Sequence, residues 1–501
     1  MATATLPQDP DLDQLRRRAR ELQRGVRRGE AAALDRVSRW HPTPPTADTF
    51  PLAAAQLVVA REHGFASWAR LRRYVDVVTD RAWNPGAPIP DGESTADRFL
   101  RLACLTYGDD DAADRAAAAQ LLGAHPELPE TDLFVAAACA DVAALRRHLA
   151  GRPATAAVTG GPHGWSPILY QAYARHDPHV DRAATLTAAR LLLDAGADPN
   201  DGRFWHALPT PFTVLTGVLG YGERRQPWHP HATAFARLLL DAGADPNDGQ
   251  ALYNRMFGTN DDHLVLLFEF GLGTDTGGPW HRLLGESLEP PAEMLRVLLA
   301  WAITHDQRRR VTLLAEHGVD IVSPFTELRS PRRGTPIEVA LMNGHRELAD
   351  QLAALGARPP RLSPSDTFVA AVLAGDAGAV TRASARVVGD VRRRRTGLVT
   401  WAAAQGAPNA VELLVSAGFD VNALGRSDVP GNQPWHTALH VAAERGDVAL
   451  GQRLLDLGAD PDIVDLHHRA TPLGWARHFG QPALVELLEP ATRTDPPAGR
   501  S

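Results

Sequence analysis

At 501 residues the chain is longer than one globular core normally supports, and its 44% hydrophobic content is ample for a packed interior, so several domains or a repeating stack are expected. The formal charge of −7 is mild for this length and points to neither a polyanion binder nor an acidic tail. All 52 basic residues are arginine, which excludes Schiff-base, phosphate-loop-lysine and ammonium-base chemistry.

Two cysteines, Cys104 and Cys139, are too few for a disulfide framework or a zinc cluster, and each sits in an alanine-rich helical phrase. There is no leader-like apolar run at the start and no apolar span of 18 residues, so a soluble cytoplasmic protein without membrane association is expected. From Asp11 to Arg28, Leu12, Leu15, Ala19, Leu22 and Val26 recur at helical spacing. Gly29 breaks the pattern, and Glu30–Trp40 reads as a second helix. Leu52–His63, closed by Gly64, reads as a third. Ser67 has the position of an N-cap for a fourth, Trp68–Asp80. Residues 1–82 are thus expected to form a small helical unit, followed by a proline- and glycine-rich linker at 83–96 containing NPGAPIPD.

From Asp97 onward the sequence repeats itself. Ala189–Asp201, ARLLLDAGADPND, returns unchanged at Ala236–Asp248, an offset of 236 − 189 = 47, with looser copies beginning at Val411 and Gln452. Three leucines give a short helix an apolar face, glycine supplies a left-handed residue to close it, and Asp-Pro-Asn is turn chemistry. The partner phrase lies upstream. Thr437-Ala438-Leu439-His440-Val441-Ala442 opens one copy, Thr471-Pro472-Leu473 opens the next 471 − 437 = 34 residues later, and Thr335-Pro336-Ile337 opens another. Further openings are read at Asp132, Ser166, Thr210, Asp366 and Gly397. Within the irregular stretch Trp280–Asp320, Met294–His305 and Gln307–His317 read as helices.

A T-P-L-H-x-A opening, two short helices and a GADPN turn at about 33-residue spacing resemble the ankyrin repeat. The resemblance implies an all-α ankyrin-repeat solenoid over residues 97–489, with about eleven helix-turn-helix repeats, some joined by β-hairpin turns, and a disordered tail at 490–501. Gln56–Leu71, QLVVAREHGFASWARL, is similar to an N-terminal element that accompanies such repeats in many bacterial proteins. That element carries no known activity, and Phe65 and Trp68 are expected to fill its core.

No phosphate-binding loop, zinc-protease, nucleophile-elbow or C-x-x-C phrase is present, so no catalytic residues, metal or cofactor are expected. Trp-His dipeptides recur, with His229-Pro230-His231 the best local metal pair, but no carboxylate or thiol stands beside it. The arginines Arg329, Arg332, Arg333 and Arg392–Arg395 do not make a continuous basic footprint, so nucleic acid is not expected as a partner.

In the ankyrin fold, the residues just before each opening and just before the inter-helix glycine line the concave face. Mapped onto this chain they include Trp165, the hairpin Leu328 to Gly334, Met342, Asn343, Leu373, Ala374, His436, Glu444, Arg445, Ala470, His478 and Phe479. Two insertions, Gly217–Thr233 and Asn422–His436, should be surface loops that carry specificity, with Tyr221, Arg224, Arg225, Trp228 and Trp435 as contact residues. The expectation is a monomeric, non-catalytic protein-binding scaffold or adaptor. A dedicated regulatory or inhibitory subunit of one enzyme or toxin is the nearer alternative, and an enzyme without a local motif the farther one.

Overall fold

The structure is a computed structural model that describes residues 6, 10–43, 46, 49–108, 110–206, 210–274, 278–326, 333–430 and 433–493. Leu328–Arg332 of the expected hairpin, with Arg329 and Arg332, lie outside these residues, as do Gly431 and Asn432 of the second insertion and the tail from 494 on. The chain divides into two compact units, Met1–Met294 and Leu295–Ser501.

The first unit begins with four helices: α1 (Leu12–Arg27), α2 (Ala31–Trp40), α3 (Leu52–Glu62) and α4 (Trp68–Asp80). Each expected boundary has a local cause. The Asp11 carboxylate caps α1 by accepting from the Asp13 N–H, and Ser67 Oγ caps α4 by accepting from the Arg70 N–H. Leu15, Ala19, Leu22 and Val26 form the buried stripe of α1. They pack with Phe50, Val58, Val59, Leu71 and Val78, and also with Phe204, Trp280 and Leu284 from far along the chain.

That distant contribution comes through a small sheet. Strand β1 (Ala82–Trp83), at the expected junction of the helical unit and the linker, runs parallel to β2 (Gly202–Trp205), which is antiparallel to β3 (Phe212–Thr213). Ala82 stands opposite Phe204 and Trp83 opposite Trp205; the Phe204 N–H donates to Arg81 O and the His206 N–H to Trp83 O, both at 2.9 Å. Arg81 also pairs with Asp201 at 3.2 Å, and its guanidinium lies 5.4 Å from the centre of the Trp280 ring.

Helix pairs follow in both units. In the first are Pro167–Tyr173 with Arg182–Asp194 and Val214–Leu219 with Ala232–Asp241; in the second, Leu398–Ala404 with Pro408–Ser416 and Ala438–Arg445 with Val448–Asp456. The small first-helix residues Ala402, Ala403, Ala442 and Ala443 are fully buried, as are Leu414 and Leu454 of the second helices. A single pair has too little surface to bury its own apolar face, so each stabilises its neighbour. One opening differs from expectation. The helix expected from Thr210 starts at Val214, because Phe212–Thr213 join the sheet and Thr213 then supplies a capping box with Thr216.

The repeated turn has a second job besides ending a helix. Gly196 and Gly243, both at φ +95°, close their helices in the left-handed region. Asn200 then reaches the next turn: its Nδ2 donates to Gly243 O at 2.9 Å and its Oδ1 accepts from the Asp245 N–H at 2.8 Å. Asn247 bonds Thr274 O and the Gly273 N–H in the same manner, and Asn422 bonds Gly458 O and the Asp460 N–H. Replacing Asn422 by Ala removes both bonds at once and should lower the stability of the second unit by about 1–2 kcal/mol in urea titration. Phe204→Ala, at a fully buried site, should cost about 3–5 kcal/mol and expose the four N-terminal helices to protease; an unchanged cleavage pattern would show that β2 does not hold them.

Candidate functional site

In the first unit, insertion 217–233 is a folded hairpin-like loop. Gly220, at φ +58°, ends the preceding helix where an added Cβ would stand 2.7 Å from Pro227 O. Tyr221 and Gln226 then pair across a turn in which Tyr221 (φ +71°) and Arg225 (φ +55°) occupy the left-handed region. Side chains are rare there, and such geometry persists only where the surroundings impose it.

The surroundings are specific. The Gly222 N–H donates to Asn254 O, Arg224 to Gly108 O, and the His229 N–H to Val218 O. Arg175, buried beneath, donates from Nε to Pro227 O at 2.9 Å and from Nη2 to Gly217 O, gripping both sides of the loop. Its Nη1 donates to Ala172 O and Ala174 O. Burial pulls the Arg175 guanidinium down to about 10, which still leaves it charged at neutral pH.

On top, the buried Arg255 guanidinium lies 3.8 Å from the Trp228 ring centre and 5.6 Å from that of Tyr221. Trp228 is 41% exposed, Tyr221 half-buried, and Arg224 and Arg225 exposed. These four expected residues are therefore brought together. Arg255, the residue that organises them, is one that sequence reasoning missed; its only signal was an arginine in a largely apolar helix phrase, ALYNRMF.

Trp165 is elsewhere. It is 1% exposed and sits in an aromatic cluster, with ring centres at 4.6 Å from His163, 4.7 Å from Trp83, 4.9 Å from Tyr173 and 5.3 Å from Tyr170. It offers no surface to a partner, and burial holds His163 neutral, down at about 4.

In the second unit the expected residues divide by depth. Met342, Asn343 and His436 are buried, at 6%, 1% and 0% exposure, so their side chains lie under the surface. Trp435 and Glu444 are half-buried, while Arg445, His478 and Phe479 are exposed. Trp435, His436 and Phe479 gather around Trp475, with ring centres at 6.2, 5.0 and 5.9 Å. Trp475 was not anticipated, although it fills the variable position of its T-P-L-H-x-A opening.

Asp465 anchors Trp475. It accepts from Trp475 Nε1 at 3.0 Å and from the N–H groups of His467, His468 and Ala470, and these bonds hold its carboxyl below the usual range. His440 sits between Thr437 Oγ1 and Ala470 O, tying one repeat to the next. Neighbouring inter-helix turns are also joined, by Gln481 Nε2 donating to Glu444 O at 3.2 Å and Arg445 Nη1 to Ala403 O at 3.5 Å.

Burial lowers His436 to about 3 and His440 to about 4, below the unfolded value near 6.5. Stability from these neutral histidines is complete above about pH 6.5 and is lost as pH falls toward 3–4, at up to about 1.4 kcal/mol per pH unit for each. Among the described residues neither ring nitrogen of His436 has a hydrogen-bond partner. His436→Phe should therefore be neutral or stabilising at pH 7 and should flatten the loss between pH 7 and 5 in denaturant titrations. An equal slope in both proteins would refute this account of the acid response.

The geometry of the second unit agrees with the comparison to known families: the ankyrin-repeat model matches residues 399–496 in three copies. That stretch contains the capped openings at Thr437 and Thr471, the glycine-closed helices and the bridging asparagine described above. Among the described residues no helix is long and apolar enough to cross a membrane. The chain contains ankyrin repeats across residues 399–496.

Proposed function

We propose that the chain is a non-catalytic scaffold that binds another protein through surface groups set on its rigid repeats. Ankyrin repeats in general serve protein–protein interaction, and the finer reading is supported chiefly by the Trp228–Arg255 stack. A large indole is held by Arg255 beside two exposed arginines on a loop whose backbone is fixed by Arg175. Tryptophan and arginine are the side chains most enriched among residues that dominate interface energies. A preformed surface also reduces the ordering cost of association. In the second unit Arg445, His478 and Phe479 are the corresponding exposed group.

The test is affinity capture from native lysate with wild type, Trp228→Ala, and an Arg445→Ala/His478→Ala/Phe479→Ala variant. A partner retained at fixed stoichiometry by wild type should be lost about tenfold or more by at least one variant while thermal stability is unchanged. Identical retention by all three would remove both surfaces from consideration.

A further inference from the structure

The second insertion lies down on its own unit. Gly425 and His436 pair at its base, and a Cβ on Gly425 would stand 2.8 Å from both Gly397 Cα and Thr400 Cβ, so the hairpin is pressed against the preceding repeat. Beyond the base, Arg426 is paired with Asp428, donates to Gln433 Oε1 at 3.0 Å and lies 5.5 Å from the centre of the Trp435 ring. Val429 is 1% exposed and Pro430 is buried, which is unusual for the tip of a surface loop.

Where this loop lies, side chains from well-separated repeats converge. Asp428 O is 2.9 Å from His305 Nε2. The His305 ring stacks on Trp301 with centres 3.8 Å apart, and its centre is 6.2 Å from that of Trp401, in an edge-on arrangement. His305 follows the helix Pro291–Thr304, Trp401 belongs to Leu398–Ala404, and Asp428 precedes Ala438–Arg445.

The fit is incomplete in two respects. His305 Nδ1 is 2.9 Å from Trp301 O, so both of its nitrogens face carbonyl oxygens. A neutral imidazole has one proton to give and leaves one of these contacts without a donor. Trp401 is 1% exposed, and among the described residues its Nε1–H has no acceptor. A buried donor without an acceptor is a standing cost that an occupant carrying a suitably placed carbonyl would relieve.

We propose that Trp301, His305 and Trp401 form a docking surface for an extended protein segment, and that Asp428-Val429-Pro430 is a resident stand-in that such a segment displaces. The stand-in defines the chemistry of the occupant. It is an extended stretch that offers a main-chain carbonyl to His305, continues with an apolar residue and proline, and brings an acceptor to Trp401 Nε1. The assignment deepens the protein-binding reading and rests on it for the occupant being another protein. The seat itself is testable without any partner.

A tethered segment competes at an effective concentration that reaches the millimolar range, so the seat has to be vacated before binding in trans is seen. The probe is a fluorescein-labelled peptide of residues 422–436, read by fluorescence anisotropy against three full-length proteins. These are wild type, a variant with 426–434 replaced by Gly-Gly, and that variant carrying His305→Ala. The peptide should bind the shortened variant at least tenfold more tightly than wild type, and His305→Ala should cost at least tenfold. Where the shortened chain does not fold, Val429→Ser/Pro430→Gly in the intact chain takes its place, with the same order expected. Binding to none, equal binding to wild type and the loop variant, or indifference to His305→Ala each overturns the seat. Peptide binding with no cellular partner captured would instead retain the seat and remove the protein partner.

Discussion

The constraint on which the repeats depend is an asparagine that belongs to one turn and completes the next. Asn200, Asn247 and Asn422 each spend both ends of a carboxamide on the following turn, one as donor and one as acceptor. A short helix pair has unpaired backbone groups where its second helix ends, and they need partners that the pair itself does not supply. The carboxamide fits because its two functions match a carbonyl and an N–H that lie side by side. It therefore sets the distance between successive repeats as well as satisfying them. Apolar packing of alanines and leucines would tolerate sliding; a bidentate amide does not.

The same economy is visible where the repeats depart from regularity. In the first unit, the acceptors of Arg175 among the described residues are main-chain oxygens, and it holds its loop through them. Main-chain acceptors fix the course of the backbone directly, which a side-chain partner would do only through its own rotatable bonds. Arg255 continues the arrangement outward by giving Trp228 a cationic face to rest on. In the second unit, Asp465 plays the complementary part, a carboxylate that gathers N–H donors and orients Trp475. Arg175 and Asp465 thus each make four hydrogen bonds beneath a group that reaches the surface.

Much of the fold was legible because its signals are local. Ser67 before Trp68, Gly196 after the leucine run and the Thr-Pro openings at Thr335 and Thr471 each act within a few residues of themselves. The helix start at Val214 was missed for the opposite reason. Strand pairing with Gly202 and Arg203 takes up Phe212 and Thr213 and shifts the cap, and that depends on residues outside the phrase. The surface residues were legible in part. Position in the repeat placed Arg445, His478 and Phe479 outside, but it cannot tell whether an aromatic residue before an opening faces solvent. Trp165 and His436 are inside because other rings, supplied by Trp83, Tyr173 and Trp475, close over them. Insertion 422–436 was read as an outward loop, since nothing in its wording announces His305 as the place where it comes to rest.

The pairing of β1 with β2 also has a consequence in time. Phe204, Trp280 and Leu284 belong to the same core as α1–α4, so these four helices leave the ribosome lacking part of their interior until some 200 residues more have been made. At roughly 5–20 residues per second that interval is about 10–40 s. During it the apolar stripes of α1 and α3 have only each other and their immediate neighbours for cover. The four-helix element is made well before the rest of its core and is among the last parts of its unit to be finished.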